Sequence, residues 1–154
     1  MTRIRDQYHV AVAPGVVFDI YADPERVPDW YANVSSVSGV TSPLTRPGAN
    51  YVAHVRILGR AIEARVEAIE VVRPDLLVVA ATAPGGGRAK AQSRFVASGG
   101  GTDVSFELDL TLPGGIFGSL AERLFLEQAI ERDLRHANAT LKALVELENG
   151  SRQP

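Results

Sequence analysis

The side chains able to do chemistry are few and widely spaced. With no cysteine, disulfides and thiolate nucleophiles are excluded. His9, His54 and His136 are the only histidines. They form no HxxxH or HExxH pattern, so no metal is expected. The glycines at 85–87 and 99–101 lack the GxxxxGK[ST] spacing of a phosphate loop, and hairpin turns account for them. What remains is aromatic and hydroxyl chemistry. The segment "YADPERVPDWYANV" holds the sole tryptophan, Trp30, next to Tyr31. Trp30 reads either as a plug that closes a core or as the rim of a pocket. Tyr31 brings a hydroxyl that needs a partner if buried. Tyr51, Ser93 and Thr82 complete the short list of hydroxyls on candidate inward positions. General acid–base catalysis needs a titratable group within hydrogen-bond reach of substrate. The strand acids and bases His54, Arg56, Glu63, Arg65, Glu67, Arg94 and Glu107 all read as outward-facing, so no catalytic residue is assigned.

These phases come from the elements that must carry them. The chain opens with a strand over about Arg3 to Val12. Pro14 starts a short helix, and Asp23-Pro24 resets it into a second one that ends near Trp30. Val34, Val37 and Val40 suggest the next strand. From there the alternation is strong. Tyr51, Ala53, Val55 and Ile57 share a face, as do Ile62, Ala64, Val66 and Ala68. "LLVVAATA" reads as a strand without clear alternation, so Thr82 has no fixed phase. Ala89, Ala91, Ser93 and Phe95 point one way in the next strand, and Val104, Phe106, Leu108 and Leu110 in the last, for a total of seven. After Pro113-Gly114-Gly115, a helix is predicted from Ile116 to about Leu147. Leu120 and Leu124, then Leu126, Ile130, Leu134, Ala137, Leu141 and Leu144, form its apolar stripe, with a register change near Leu124 to Leu126. A helix of that length spans roughly 45 Å and must lie across a broad apolar face. Burying stripe against sheet yields two layers in a single α+β domain over residues 1–148, with 149–154 as a disordered tail. The gap between a bent sheet and a straight helix is either a core of large residues or a cavity.

Composition narrows the partners. Lys plus Arg is 16 against Asp plus Glu 18, a net charge of -2, which does not suit a nucleic-acid binder. No apolar run approaches the length of a membrane span, and "MTRIRDQYHV" lacks the long apolar run of a signal peptide. A cytoplasmic protein, monomer or homodimer, is the expectation.

"VAPGVVFDIYADPERVPDWYANVSSV", the many strands, "GGGTDVSFELDLTLPGG" and the closing helix ending "HANATLKALVE" together resemble the START/Bet v 1-like superfamily. Within it they are most similar to the bacterial polyketide cyclase/dehydrase and lipid-transport (SRPBCC) group. The resemblance implies a helix-grip fold and a hydrophobic small molecule bound between the curved sheet and the C-terminal helix. The expected ligand is a lipid, quinone or polyketide-like molecule, held by a carrier or sensor without a cofactor. Its expected contacts are Trp30, Tyr31, Tyr51, Val55, Val66, Thr82, Ser93, Phe95, Phe106, Leu108, Phe117 and Leu124. Gly114, Gly115 and Gly118 with Ile116 and Phe117 would form a mobile apolar lip, for which a rigid turn and helix start is the rival reading. The alternative function is a polyketide cyclase/dehydratase. Such cyclases are thought to use an arginine and tyrosines inside the pocket, and here no arginine is placed inside. Arg56 is the one to check. A third reading, a subunit acting through protein contacts, rests on Phe125 and Leu126.

Overall fold

The computed structural model describes residues 1–112 and 119–152. Seven strands form one antiparallel sheet: β1 (Thr2–Val10), β2 (Val34–Ser38), β3 (Asn50–Ile57), β4 (Arg60–Val72), β5 (Leu76–Thr82), β6 (Arg88–Ser98) and β7 (Gly101–Thr111). Their order is β1-β7-β6-β5-β4-β3-β2, with β1 and β2 at the two edges. Helices α1 (Pro14–Tyr21) and α2 (Val27–Trp30) stand between β1 and β2, separated by a 3₁₀ turn at Pro24–Arg26. Pro14 occupies the start of α1, where a missing N–H is harmless. The Asp23 carboxylate accepts from the Glu25 N–H at 3.0 Å and so sets the 3₁₀ turn.

The sheet curves around α3 (Leu120–Arg152), giving a helix-grip fold. α3 continues past the expected end at Leu147. Its buried stripe is Leu126, Ala129, Ile130, Ala137, Asn138, Leu141 and Val145. Leu120 and Leu124 do not join it: they are 73% and 48% exposed. The register change anticipated near Leu124 is where the buried stripe begins. Phe125 is also exposed, whereas Leu126 is buried against the sheet. No described helix is long and apolar enough to cross a membrane.

Antiparallel register lines up the inward positions in rows across the sheet. One row runs Tyr51, Val66, Ala81, Ala89, Leu110. The next runs Ala68, Val79, Ala91, Leu108, Ile4, and a third Leu77, Ser93, Phe106, Asp6. A bulge in β4 between Ala68 and Glu70 leaves Ile69 exposed beyond them. The buried residues separate into two clusters. The larger joins α1, α2 and the C-terminal half of α3 to the sheet through Phe18, Trp30, Phe95, Leu141 and Val145. The smaller joins Ile4, Phe106, Leu108 and Leu110 to Leu126 and Ile130.

Candidate ligand-binding site

The concave face of the sheet is the candidate site because α3 does not close it everywhere. The helix backbone approaches β1 most closely, then α2 and α1, and stands farther from the strands between. The side chains there are small. Ala64, Ala81, Ala89 and Ala91 face inward from β4, β5 and β6, and all keep part of their surface accessible, as do Val55, Ile57, Ile62 and Val79. Inward residues that stay accessible mark open space. The result is an open cavity between sheet and helix with a predominantly apolar wall.

Tyr51, Val55, Val66, Ser93, Phe95, Phe106 and Leu108 all sit on the inward phase, brought together by the rows of the sheet. Trp30 and Tyr31 join them from the end of α2. Thr82 does not. Its register partners are Arg65 and Arg88, on the convex face, and it is exposed. Pairing with β6 sets the phase of β5, and that phase puts Leu77, Val79 and Ala81 inside. Leu124 also falls away from the cavity, on the exposed side of α3. Phe117 and the glycine lip lie outside the described residues. Arg56 is exposed, its main chain paired with Asn33 through the Arg56 N–H to Asn33 O bond at 2.8 Å. His54 belongs to the outer face, with Ser38 Oγ at 2.9 Å and Glu63 at 3.7 Å. His54, Arg56 and Glu63, with Ser35, Val55 and Ile62, line a depression of about 230 Å³ over β2, β3 and β4.

The polar inventory inside is larger than alternation alone suggested. All four tyrosines point inward: Tyr8 from β1, Tyr21 from α1, Tyr31 after α2 and Tyr51 from β3. Their hydroxyls titrate above the ordinary phenol range, chiefly because burial disfavours the phenolate. Asp133 adds to the effect at Tyr31, and Asp6 to that at Tyr8. Tyr21 accepts a 2.9 Å hydrogen bond from Ser93 Oγ, so the Ser93 donor is already used. Tyr8, Tyr31 and Tyr51 have no hydrogen-bond partner among the described residues. Yet Trp30 Nε1 is the one unpartnered side-chain polar atom wholly closed off among the described residues. The three free hydroxyls therefore each keep some accessible surface.

Trp30 is 8% exposed and stacks on Tyr21 at 5.4 Å and on Tyr31 at 6.1 Å between ring centroids. It fills the closed end of the cavity. Asp6 and Asp133 were not anticipated as inner groups. Asp6 takes hydrogen bonds from the buried Asn138 at 3.1 Å and from Arg135 at 3.2 Å. Asp133 accepts from Asn33 Nδ2 at 2.9 Å. The i, i+2 spacing of Ile4, Asp6, Tyr8 and Val10 was the signal for Asp6. No cluster of three or more acidic or histidine side chains suited to a metal occurs among the described residues.

The sequence matches the family described as polyketide cyclase / dehydrase and lipid transport over residues 1–146. The chain belongs to that family. No curated protein matches the sequence. Solved structures agree on the fold. The Zhui aromatase/cyclase from Streptomyces sp. R1128 aligns with a TM-score of 0.79 at 16% identity, over 94% of this chain and 93% of that one. TTHA0849 from Thermus thermophilus aligns at 0.77 and 19% identity, covering 94% and 97%. A START superfamily protein from Mycobacterium smegmatis aligns at 0.73 and 17%, covering 94% and 97%. At such identities the family member shares the fold with them and nothing finer follows.

Proposed function

We propose that this family member binds a hydrophobic small molecule in the cavity between sheet and α3, as a carrier or sensor. The observation that carries the reading is a set of largely buried tyrosines whose hydroxyls have no protein partner yet keep accessible surface. A filled core would have paired them, because an unmade buried hydrogen bond costs about 1–3 kcal/mol. An apolar wall with a few unpaired polar groups is the ordinary composition of a small-molecule site. Native mass spectrometry of gently purified protein tests the reading. Retained apolar ligand, or stoichiometric uptake of a neutral apolar dye with quenching of Trp30, is the expected result. A protein that retains nothing and takes up no dye would defeat it.

Cyclisation of a polyketide-like substrate is the second reading. It rests on the unpartnered Tyr31 hydroxyl and on Asp133, whose carboxylate is held at 2.9 Å by Asn33, two residues after Tyr31. Aldol chemistry needs an acid or base beside the reacting carbons and a donor for the developing enolate. Asp133 and Tyr31 fit those two roles. Conversion of a poly-β-ketone thioester, lost in Asp133→Asn, would favour it over simple carriage.

A further inference from the structure

We propose that the bound molecule is uncharged, an apolar body bearing carbonyl or hydroxyl oxygens, and that Tyr31 and Tyr51 hydrogen-bond those oxygens. Resting on the ligand-binding reading above, the proposal adds a selection rule: lipids headed by an ionised carboxylate or phosphate are rejected.

Among the described residues, the cavity offers a polar head no free cation. Its inward strand positions on β1 and β3 to β7 include no lysine, arginine or histidine. They read Ile4, Asp6, Tyr8, Val10 on β1 and Tyr51, Ala53, Val55, Ile57 on β3, and the three rows across the sheet continue in the same vein. On α3 the cations nearest the buried stripe are already held by carboxylates. Arg123 pairs with Glu127 at 3.5 Å, and Arg135 with Asp6 at 3.2 Å and Glu131 at 3.0 Å. The inward carboxylates are engaged as well, Asp6 by Arg135 and Asn138 and Asp133 by Asn33 at 2.9 Å and Arg132 at 3.7 Å. An anionic head placed among them would lose its hydration and gain no cation, which is strongly unfavourable.

The same surroundings suit a neutral acceptor. Burial keeps the Tyr31 and Tyr51 phenols protonated, hence donors, well above neutral pH. Neither spends its proton on the protein. A ketone or quinone oxygen accepts one such bond, and a ligand hydroxyl can donate or accept.

A matched series decides the matter: 2-ethylnaphthalene, 2-acetylnaphthalene and 2-naphthoate share one aromatic body and differ in head. Each is titrated at neutral pH into wild type and into Tyr31→Phe/Tyr51→Phe by calorimetry, with Trp30 emission as a local readout. The ketone should bind wild type at least about tenfold tighter than the naphthoate. The double variant should lose about three- to tenfold in ketone affinity measured against its own affinity for 2-ethylnaphthalene. A far-UV circular dichroism spectrum and a urea midpoint matching wild type show that the variant is folded. Naphthoate binding as tight as the ketone, or ketone affinity indifferent to both hydroxyls, would overturn the proposal and leave the binding reading intact. Failure of all three compounds, hydrocarbon included, would bring down both.

Discussion

The two ends of the concave face are built from the same alternation and do opposite things. At one end, Phe18 meets Phe95 edge-on at 5.5 Å, Tyr21 tilts onto Phe95 at 5.7 Å, and Trp30 stacks on Tyr21. Val17, Leu141 and Val145 fill the space between them and are wholly buried. At the other, the inward positions of β4, β5 and β6 are Ala64, Ala81, Ala89 and Ala91, and they stay partly accessible. Period-2 patterning decides which side of a sheet becomes concave. Side-chain volume, and what stands opposite, decides whether the concavity is filled. Close packing is the rule in protein interiors, so the alanine side survives as a cavity only because α3 keeps its distance there.

Emptying the filled end should cost the most stability. Phe95→Ala removes contacts with both Phe18 and Tyr21 from a fully buried position. A loss of about 3–5 kcal/mol is expected, read from urea unfolding. A loss below about 1 kcal/mol would mean that this end is no better packed than the other. Next comes Thr102→Val. Thr102 Oγ1 donates to the Val12 carbonyl at 2.7 Å in a site without water access. The valine leaves that carbonyl unpaired, and about 1–3 kcal/mol should be lost by the same measurement.

The open end should respond in the reverse sense. Ala81 lies between Val66 and Ala89 on the cavity wall. Ala81→Leu adds bulk where a filled core would refuse it at a cost of about 1–3 kcal/mol. Here the expected change in stability is under about 1 kcal/mol, while uptake of a neutral apolar dye falls sharply. Destabilisation with dye uptake intact would show that the space under α3 is not where ligands go.

How far the sequence reveals this division follows from what each position advertises. Strands such as β3, β6 and β7 alternate cleanly, so Tyr51, Ser93, Phe95, Phe106 and Leu108 were legible as inward residues. β5 is apolar on both phases, and only its pairing with β6 turns Thr82 outward. Leu124 matched the spacing of the helix stripe, but a stripe has an end, and tertiary contact rather than periodicity fixes it at Leu126. Asp6 shares the i, i+2 spacing of Ile4, Tyr8 and Val10, but an acid ordinarily faces solvent, and Asp133 has no such row to mark it. Their partners Asn138 and Asn33 come from 132 and 100 residues away, beyond any local pattern.

The smallest expected effect concerns how the filled end is tied down. Near its C-terminus α3 is clamped to the exit of β1: the Glu146 carboxylate accepts from the Ala11 N–H at 2.8 Å and from Lys142 at 2.9 Å, and Lys142 also donates to the His9 carbonyl at 2.7 Å. Near the N-terminus of α3, by contrast, the Arg123–Glu127 pair stays within the helix. The Ala11 N–H, and then Lys142, hold the Glu146 carboxyl below its ordinary range. The folded state thus binds the Glu146 proton less readily than the unfolded chain does. The stabilisation is complete above the unfolded value of about 4.3 and fades as pH falls through the lower folded one. Partial solvent exposure limits it to about 1 kcal/mol or less. Glu146→Gln can still accept from Ala11 but carries no charge. Its stability deficit relative to wild type should hold steady from neutral pH down to about pH 5, then close as the carboxylate protonates. A gap that persists unchanged to about pH 2.5 would assign the clamp to packing instead of charge.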